Sequence, residues 1–532
     1  MIRSPLLRTT AATSLCIALS LGVLSAQRAA ADSPLPSASA APSVSATPSG
    51  AAVPFDRAAW LKDYDALRAR METSYANLAW FASPQGGVDI PALHQQTLAA
   101  LNRATDDRSA RAALETFVKA FGDGHFSLRA TVSAPKAPDT IAKPPDPPRD
   151  LDPDVACEAL TYFRAKATRF NALYEALPGF KLVSDGVAEA YRAGTVPAKN
   201  GKLIGIVRLQ SFDPYEFPSE CEAAWRALDR SATAPQRCDD ACSGEIEDDV
   251  NKLLLAHLHD RLVALTRAGA SALVVDLADV PGGSDIADWE PRMFTKEPVY
   301  SARLGLVDSP DSARYYDEQL EGLRDALKQP LTPADRKIVE AAIATYEAHK
   351  HAVTSAPPCP MAWVWTERRP WNPLGTGSAC SNLIFGGTFA SGAQAYMPPG
   401  AIAQTDAARA VYWPSVAWPY VGAWTGPVTV VVDDTTYSAG EMAAAVFADN
   451  HIAQLVGEKT GGDGCGFMYS SNFTLPASGM RVRIPNCVRL RRDGADEVAG
   501  IAPDISLPSY AGESSAQHAA RIIELAAARI KP

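Results

Sequence analysis

Val428-Thr-Val-Val-Val-Asp-Asp-Thr-Thr-Tyr-Ser-Ala-Gly-Glu-Met-Ala-Ala-Ala-Val-Phe447 combines an apolar run, a polar turn and an alanine-rich segment. Val428 to Val432 is a near-continuous apolar run, the pattern of a strand covered on both faces in an α/β layer structure. Asp433 to Tyr437 reads as a short turn and Ala439 to Phe447 as a helix. Ser438 therefore stands at a strand–turn–helix junction, where unpaired helix N–H groups favour negative charge. A tetrahedral oxyanion needs that environment. Taken alone, Ser438 reads first as a helix N-cap, because serine is a preferred cap. Its company has to decide.

Working outward, Ala272 to Leu277 is a second such run and Leu203 to Leu209 a third strand candidate, with a helix expected over Asn251 to Ala268. The second run leads into Asp276-Leu-Ala-Asp-Val-Pro-Gly-Gly-Ser284, whose paired glycines let backbone N–H groups approach a ligand. Nearer the N-terminus, Asp56 caps a helix with Trp60, Tyr64, Leu67, Met71 and Tyr75 on one face. A second helix starts near Asp89 with Pro91 in its first turn. A third carries Leu114, Phe117, Val118 and Phe121, and Gly122 stops it. It delivers the turn Gly122-Asp-Gly-His-Phe126, and histidine alone titrates near neutral pH without perturbation. The other histidines lack a partner motif. His257 and His259, two apart on one helix, point to different faces.

The chain has 532 residues and a net charge of −10, which leaves no basic surplus for phosphate contacts and excludes a nucleic-acid role. Arg3, Arg8, the apolar stretch Ala11 to Ala26 and Ala29-Ala30-Ala31 read as a signal peptide, with no stable membrane insertion. Beyond it lie eight cysteines, an even number that suggests disulfides in an oxidising compartment. Pairing sequence neighbours is the simplest of the possible connectivities: Cys157–Cys221, Cys238–Cys242, Cys359–Cys380 and Cys465–Cys487. Zinc is disfavoured because C-x-x-C spacing is missing, and neither metal nor other cofactor is expected.

Five short motifs fall in order: Asp123-Gly-His125, Asp276-Leu277 with Gly282-Gly283, Ser438-Ala-Gly-Glu441, Gly457-Glu-Lys-Thr-Gly-Gly462 and Glu497-Val-Ala-Gly-Ile-Ala-Pro-Asp504. As a set they resemble the tail-specific and carboxyl-terminal processing serine peptidases, which include the tricorn protease core. The resemblance implies an α/β (α+β) fold, with an N-terminal helical domain, a crotonase-like ββα catalytic domain and no clear PDZ domain. The organisation expected is a signal peptide (1–31), a Ser/Ala/Pro-rich linker (32–54), the helical domain (55–130) and a linker or irregular segment (131–200). A catalytic domain (201–511) follows, with insertions near 216–249 and 289–418, and then a C-terminal helix (512–532).

Processing peptidases pair their serine with a lysine about 25 residues downstream, where this chain has Asp463. The resemblance therefore points to the tricorn-like Ser-His-Glu branch. It implies Ser438 as nucleophile, His125 as general base and acid, and Glu497 as the carboxylate supporting the histidine. Asp123 is a rival orienter. The oxyanion donors would be backbone N–H groups of Ala439 and of Gly282 or Gly283. The implied function is an exported peptidase, periplasmic or extracellular, acting on peptides or unfolded proteins. The alternatives are an inactive ligand- or peptide-binding protein on the same fold, or an esterase. Three departures stand out: Ala278 and Val280 replace the family's arginine and asparagine, Gly124 replaces a serine, and Asp463-Gly-Cys465 interrupts a glycine run.

Overall fold

The apolar runs become the middle strands of a seven-stranded mixed sheet. The computed structural model describes residues 54–129, 146–163, 169–228, 235–355, 357–375, 380–468 and 473–530. The signal-peptide reading and all but the last residue of the 32–54 linker lie outside the described residues. From Phe55 onward the chain packs as one unit.

Three long helices come first, with a single helical turn at Leu78–Phe81 between the first two: α1 (Arg57–Ser74), α2 (Ile90–Arg103) and α3 (Asp107–Lys119). Asp56 and Asp89 accept backbone N–H bonds at the starts of α1 and α2, and Asp106 forms a reciprocal cap with Ser109 on α3. Trp60, Tyr64, Leu67 and Met71 are buried with Leu114, Phe117 and Phe121 in one apolar cluster. Strand β1 (Ser127–Arg129) follows the turn that ends this unit.

The central sheet contains β2 (Lys181–Asp185), β3 (Arg192–Pro197), β4 (Leu203–Arg208) and β5 (Ala272–Asp276). Later residues add β7 (Val428–Val432), β8 (Gln454–Gly457) and β11 (Ile505–Ser506). Strand β6 (Arg303–Val307) belongs to a second sheet. The central order is β11-β8-β7-β5-β4-β3-β2, parallel from β11 to β4 and antiparallel from β4 to β2. Both faces are covered. Leu273, Val275, Val428 and Val430 pack with the long helix α4 (Asp240–Arg267), while Ala272, Val274 and Val431 pack with the C-terminal helix α8 (Ser515–Ala528). Burial on both faces accounts for the unbroken apolar runs. Each valine so buried contributes roughly 1.5–3 kcal/mol.

Three features differ from the sequence reading. Residues 131–200, read as linker or irregular, supply β2 and β3. The signal was weak because β2 is a largely exposed edge strand and β3 holds Gly194 and ends at Pro197. Helix α4 begins at Asp240 rather than Asn251, capped by the Asp239 carboxylate, so the 216–249 segment runs into the core helix. The 289–418 segment contributes β6, which pairs antiparallel with β10 (Cys487–Leu490) and sets Leu304 opposite Arg489. It also carries α5 (Ala313–Ala326) and α6 (Pro333–Ser355). The four disulfides join the expected sequence neighbours.

Candidate active site

Ser438 ends the turn after β7 and precedes α7 (Ala439–Asp449), with φ 53° and ψ −114°. A non-glycine residue at such angles costs of order 1–3 kcal/mol and persists only where its surroundings over-determine it. The surroundings here are a carboxylate and a guanidinium. Glu441 accepts from Ser438 N–H at 3.2 Å, Thr460 Oγ1 at 2.6 Å, and the N–H groups of Gly462, Asp463 and Gly464 at 2.8, 2.9 and 2.8 Å. Burial pushes the Glu441 carboxyl up, against the pull of these donors. Arg489 of β10 donates to the carbonyls of Ser438 and Gly464, both at 3.1 Å, and to Glu497 Oε2 at 2.6 Å. The serine and the 462–464 loop are thereby fastened to each other.

That loop meets the histidine turn. Asp463 accepts from Gly124 N–H at 2.8 Å, and its backbone carbonyl lies 3.1 Å from His125 Nδ1. A carbonyl only accepts, so Nδ1 carries the proton and Nε2 presents a lone pair. Nε2 stands 3.2 Å from Ser438 Oγ. From the other side, Asp123 accepts from His125 N–H at 2.9 Å, and from Tyr75 Oη at 2.8 Å and Asn77 Nδ2 at 3.3 Å. Pairing of β1 with β9 (Arg481–Arg483) ties the segment just after the turn to the C-terminal half of the chain. A Cβ on Gly466 would come within 2.8 Å of His125 Nε2, so only glycine admits the imidazole there.

The oxyanion candidates lie beside this pair. Gly282 has φ 118°, and a Cβ on it would fall 2.7 Å from Ser438 Cβ and 3.2 Å from Ala439 N. Phe212 clamps the double glycine, donating N–H to the Gly282 carbonyl at 2.9 Å and accepting from Ser284 N–H at 2.8 Å. Among the described residues, the N–H groups of Ala439 and Gly283 have no backbone acceptor. The site opens into a cavity of about 1080 Å³.

The site thus combines a serine on a strand–helix elbow, an imidazole aimed at it and a double glycine against it. Residues 252–507 match the model of peptidase family S41. An 85-residue stretch is 32% identical to a Chlamydia pneumoniae protein, covering 16% of this chain and only 14% of that protein. A solved serine-to-alanine mutant of CPAF superposes with TM-score 0.51 at 13% identity, over 88% of this chain and 96% of that one. The photosystem II D1 C-terminal processing protease gives TM-score 0.31 at 13% identity, over 84% and 92%. At such identity the CPAF likeness is one of fold, and peptidase function is supported by the S41 match.

Two positions read from the sequence behave differently in the structure. Glu497 makes no hydrogen bond to His125. Its Oε2 is taken by Arg489 and its Oε1 is buried without a partner, while burial pushes the carboxyl up to about 7. The acceptor at Nδ1 is the Asp463 carbonyl instead, because the Glu441 hub presents that loop to the imidazole. Asp123 holds the backbone of the turn rather than the ring.

The loop that carries Ala278 and Val280 is held from a neighbouring strand. Arg208, at the end of β4, is register partner to Asp276 and contacts its Oδ1 at 3.1 Å. The same guanidinium donates to the carbonyls of Ala278 and Asp279. Thr436 Oγ1 takes the Leu277 carbonyl at 2.9 Å and Tyr437 N–H the Val280 carbonyl at 2.9 Å, joining this loop to the turn that carries Ser438. Asp123, His125 and Asp463 also offer ligand atoms within 4.8 Å of one another, the geometry of a possible metal cluster. Their atoms are already engaged by Tyr75, Asn77, Gly124, Ser438 and backbone groups, so the cluster serves to position the histidine.

Proposed function

We propose that the chain is an exported serine-type peptidase, of the histidine-assisted kind, acting on short or unfolded peptides through an acyl-enzyme on Ser438. One observation carries the reading: His125 Nε2 lies 3.2 Å from Ser438 Oγ while Nδ1 is fixed on the Asp463 carbonyl. The imidazole takes the hydroxyl proton at Nε2 as Oγ attacks the peptide carbonyl carbon and the new C–O bond forms. Negative charge on the former carbonyl oxygen is met by the N–H groups of Ala439 and of Gly282 or Gly283. Collapse breaks the C–N bond, and His125 returns its proton to the leaving amine. Water, deprotonated by the same nitrogen, then releases the acid. Glu497 acts at one remove, by holding Arg489 on the carbonyls of Ser438 and Gly464.

Export to an oxidising compartment, periplasmic or extracellular, is supported by the four disulfides, which are compatible with it. Among the described residues, no helix is long and apolar enough to cross a membrane.

The test is hydrolysis of a fluorogenic, unfolded protein substrate by the wild type and by Ser438→Ala across pH. Burial lowers the His125 pKa below its ordinary value, against the pull of Asp123. The working form is neutral and acidification protonates it. The acid limb of kcat/KM is therefore expected below about pH 6.5, with a plateau through neutrality. A limb well above pH 7, or hydrolysis that survives in Ser438→Ala, contradicts the proposal.

A further inference from the structure

The cavity that contains Ser438 and His125 is much larger than the reacting groups require, and carboxylates outnumber guanidinium groups in its lining. Helix α4 contributes Glu247, Asp248 and Asn251, and the residues just after the double glycine contribute Asp285 and Trp289. The cations in the lining are already committed. Arg409 is paired to Asp248, Arg489 to Glu497, and Arg483 lies 4.2 Å from the centre of the Phe467 ring. Glu247 is engaged by the Tyr215 hydroxyl at 3.1 Å. Asp285 is different: its backbone carbonyl accepts from Asp288 N–H, but among the described residues its carboxylate has neither a hydrogen bond nor an ion pair.

Burial pushes the Asp285 carboxyl up to about 6, despite Arg489 nearby. Asp285 is half-buried at the cavity wall, so a cation arriving there can pair with its carboxylate. Two further groups in the same lining point to a missing ligand. Asn251 and Trp289 are only 8% and 7% exposed, and Asn251 Oδ1 and Trp289 Nε1 have no hydrogen-bond partner. Buried polar groups are nearly always satisfied; Asn251 Oδ1, an acceptor, suits the N–H groups of a cationic side chain, whereas Trp289 Nε1–H, a donor, suits a carbonyl of the bound peptide. The indoles of Trp289 and Trp413 add apolar surface suited to an aliphatic stem that ends in charge.

We propose that this part of the cavity is the specificity pocket of the peptidase and binds a lysine or arginine side chain of the substrate, with Asp285 as its counter-charge. The inference rests on the peptidase reading above. Asp285 follows Gly283 by two residues, so the side chain it receives belongs to the substrate residue flanking the scissile bond.

Fluorogenic peptides identical except for Lys, Arg, norleucine or Glu before the cleaved bond provide the test. The wild type is expected to favour Lys and Arg over norleucine by at least about 30-fold in kcat/KM, the low end of the effect of removing one member of a buried charge pair. In the near-isosteric Asp285→Asn variant the Lys-to-norleucine ratio falls towards one, and in Asp285→Arg preference moves to Glu. Cleavage by the wild type without cationic preference overturns this inference alone, as does a ratio that survives in Asp285→Asn. If no peptide is cleaved and Ser438 takes no fluorophosphonate, the peptidase reading falls and this inference with it.

Discussion

Replacing His125 by alanine is expected to lower kcat for peptide hydrolysis by about 10²- to 10⁴-fold, the usual contribution of a positioned general base. The expectation follows from its two ring contacts. Without Nε2 the Ser438 hydroxyl loses its proton acceptor, and among the described residues the nearby carboxylates are occupied: Glu441 by five donors and Glu497 by Arg489. The double glycine and the Ala439 N–H are untouched, so residual activity above the uncatalysed rate should remain. KM should change far less than kcat, because the imidazole contributes to the transition state rather than to holding the peptide. Equal losses in KM and unfolding midpoint would instead assign His125 a packing role.

Arg208→Ala is expected to have the largest effect on stability, roughly 3–5 kcal/mol in a denaturant titration. Arg208 and Asp276 are each only 1% exposed, and truncating the cation leaves a buried carboxylate with backbone donors alone. Burial already pushes the Asp276 carboxyl up against the pull of Arg208. The double change Arg208→Met with Asp276→Leu removes both charges and should restore most of the stability, since a buried pair is often replaceable by apolar residues. Activity should not return with it. The carbonyls of Ala278 and Asp279 would still lack their clamp, and the loop leading to Gly282 would be free to shift away from Ser438. Recovery of activity along with stability would show that Arg208 is structural only.

What was readable in the sequence has a common physical basis. Val428–Val432 and Ala272–Asp276 announce themselves because both faces are covered, so every side chain must be apolar. Ser438 and Gly282 are visible because an elbow and a close backbone approach demand particular residue types at fixed local spacing. The exposed edge strand β2 and its neighbour β3, which holds Gly194 and ends at Pro197, carry no such demand and read as irregular. Arg208 and Arg489 act across strands, Arg208 on Asp276 at 68 residues' separation and Arg489 on Ser438 at 51, so no local pattern records either. The acceptor on His125 Nδ1 is a backbone carbonyl, which has no side-chain signature at all. In the sequence Asp463 stands out for occupying the position of a lysine and for interrupting a glycine run, and neither feature announces its role. Its carboxylate docks the histidine turn, and its carbonyl orients the ring.

The altered loop before Gly282 thus bears on the central claim through Arg208, and the nucleophilicity of Ser438 is what remains to be measured. The most direct measurement is fluorophosphonate labelling of the purified protein at neutral pH, with mass-spectrometric mapping of the modified residue. The account predicts stoichiometric modification of Ser438, none in Ser438→Ala, and labelling in His125→Ala slowed in step with its hydrolysis. Labelling at another residue, or undiminished labelling in Ser438→Ala, would contradict it.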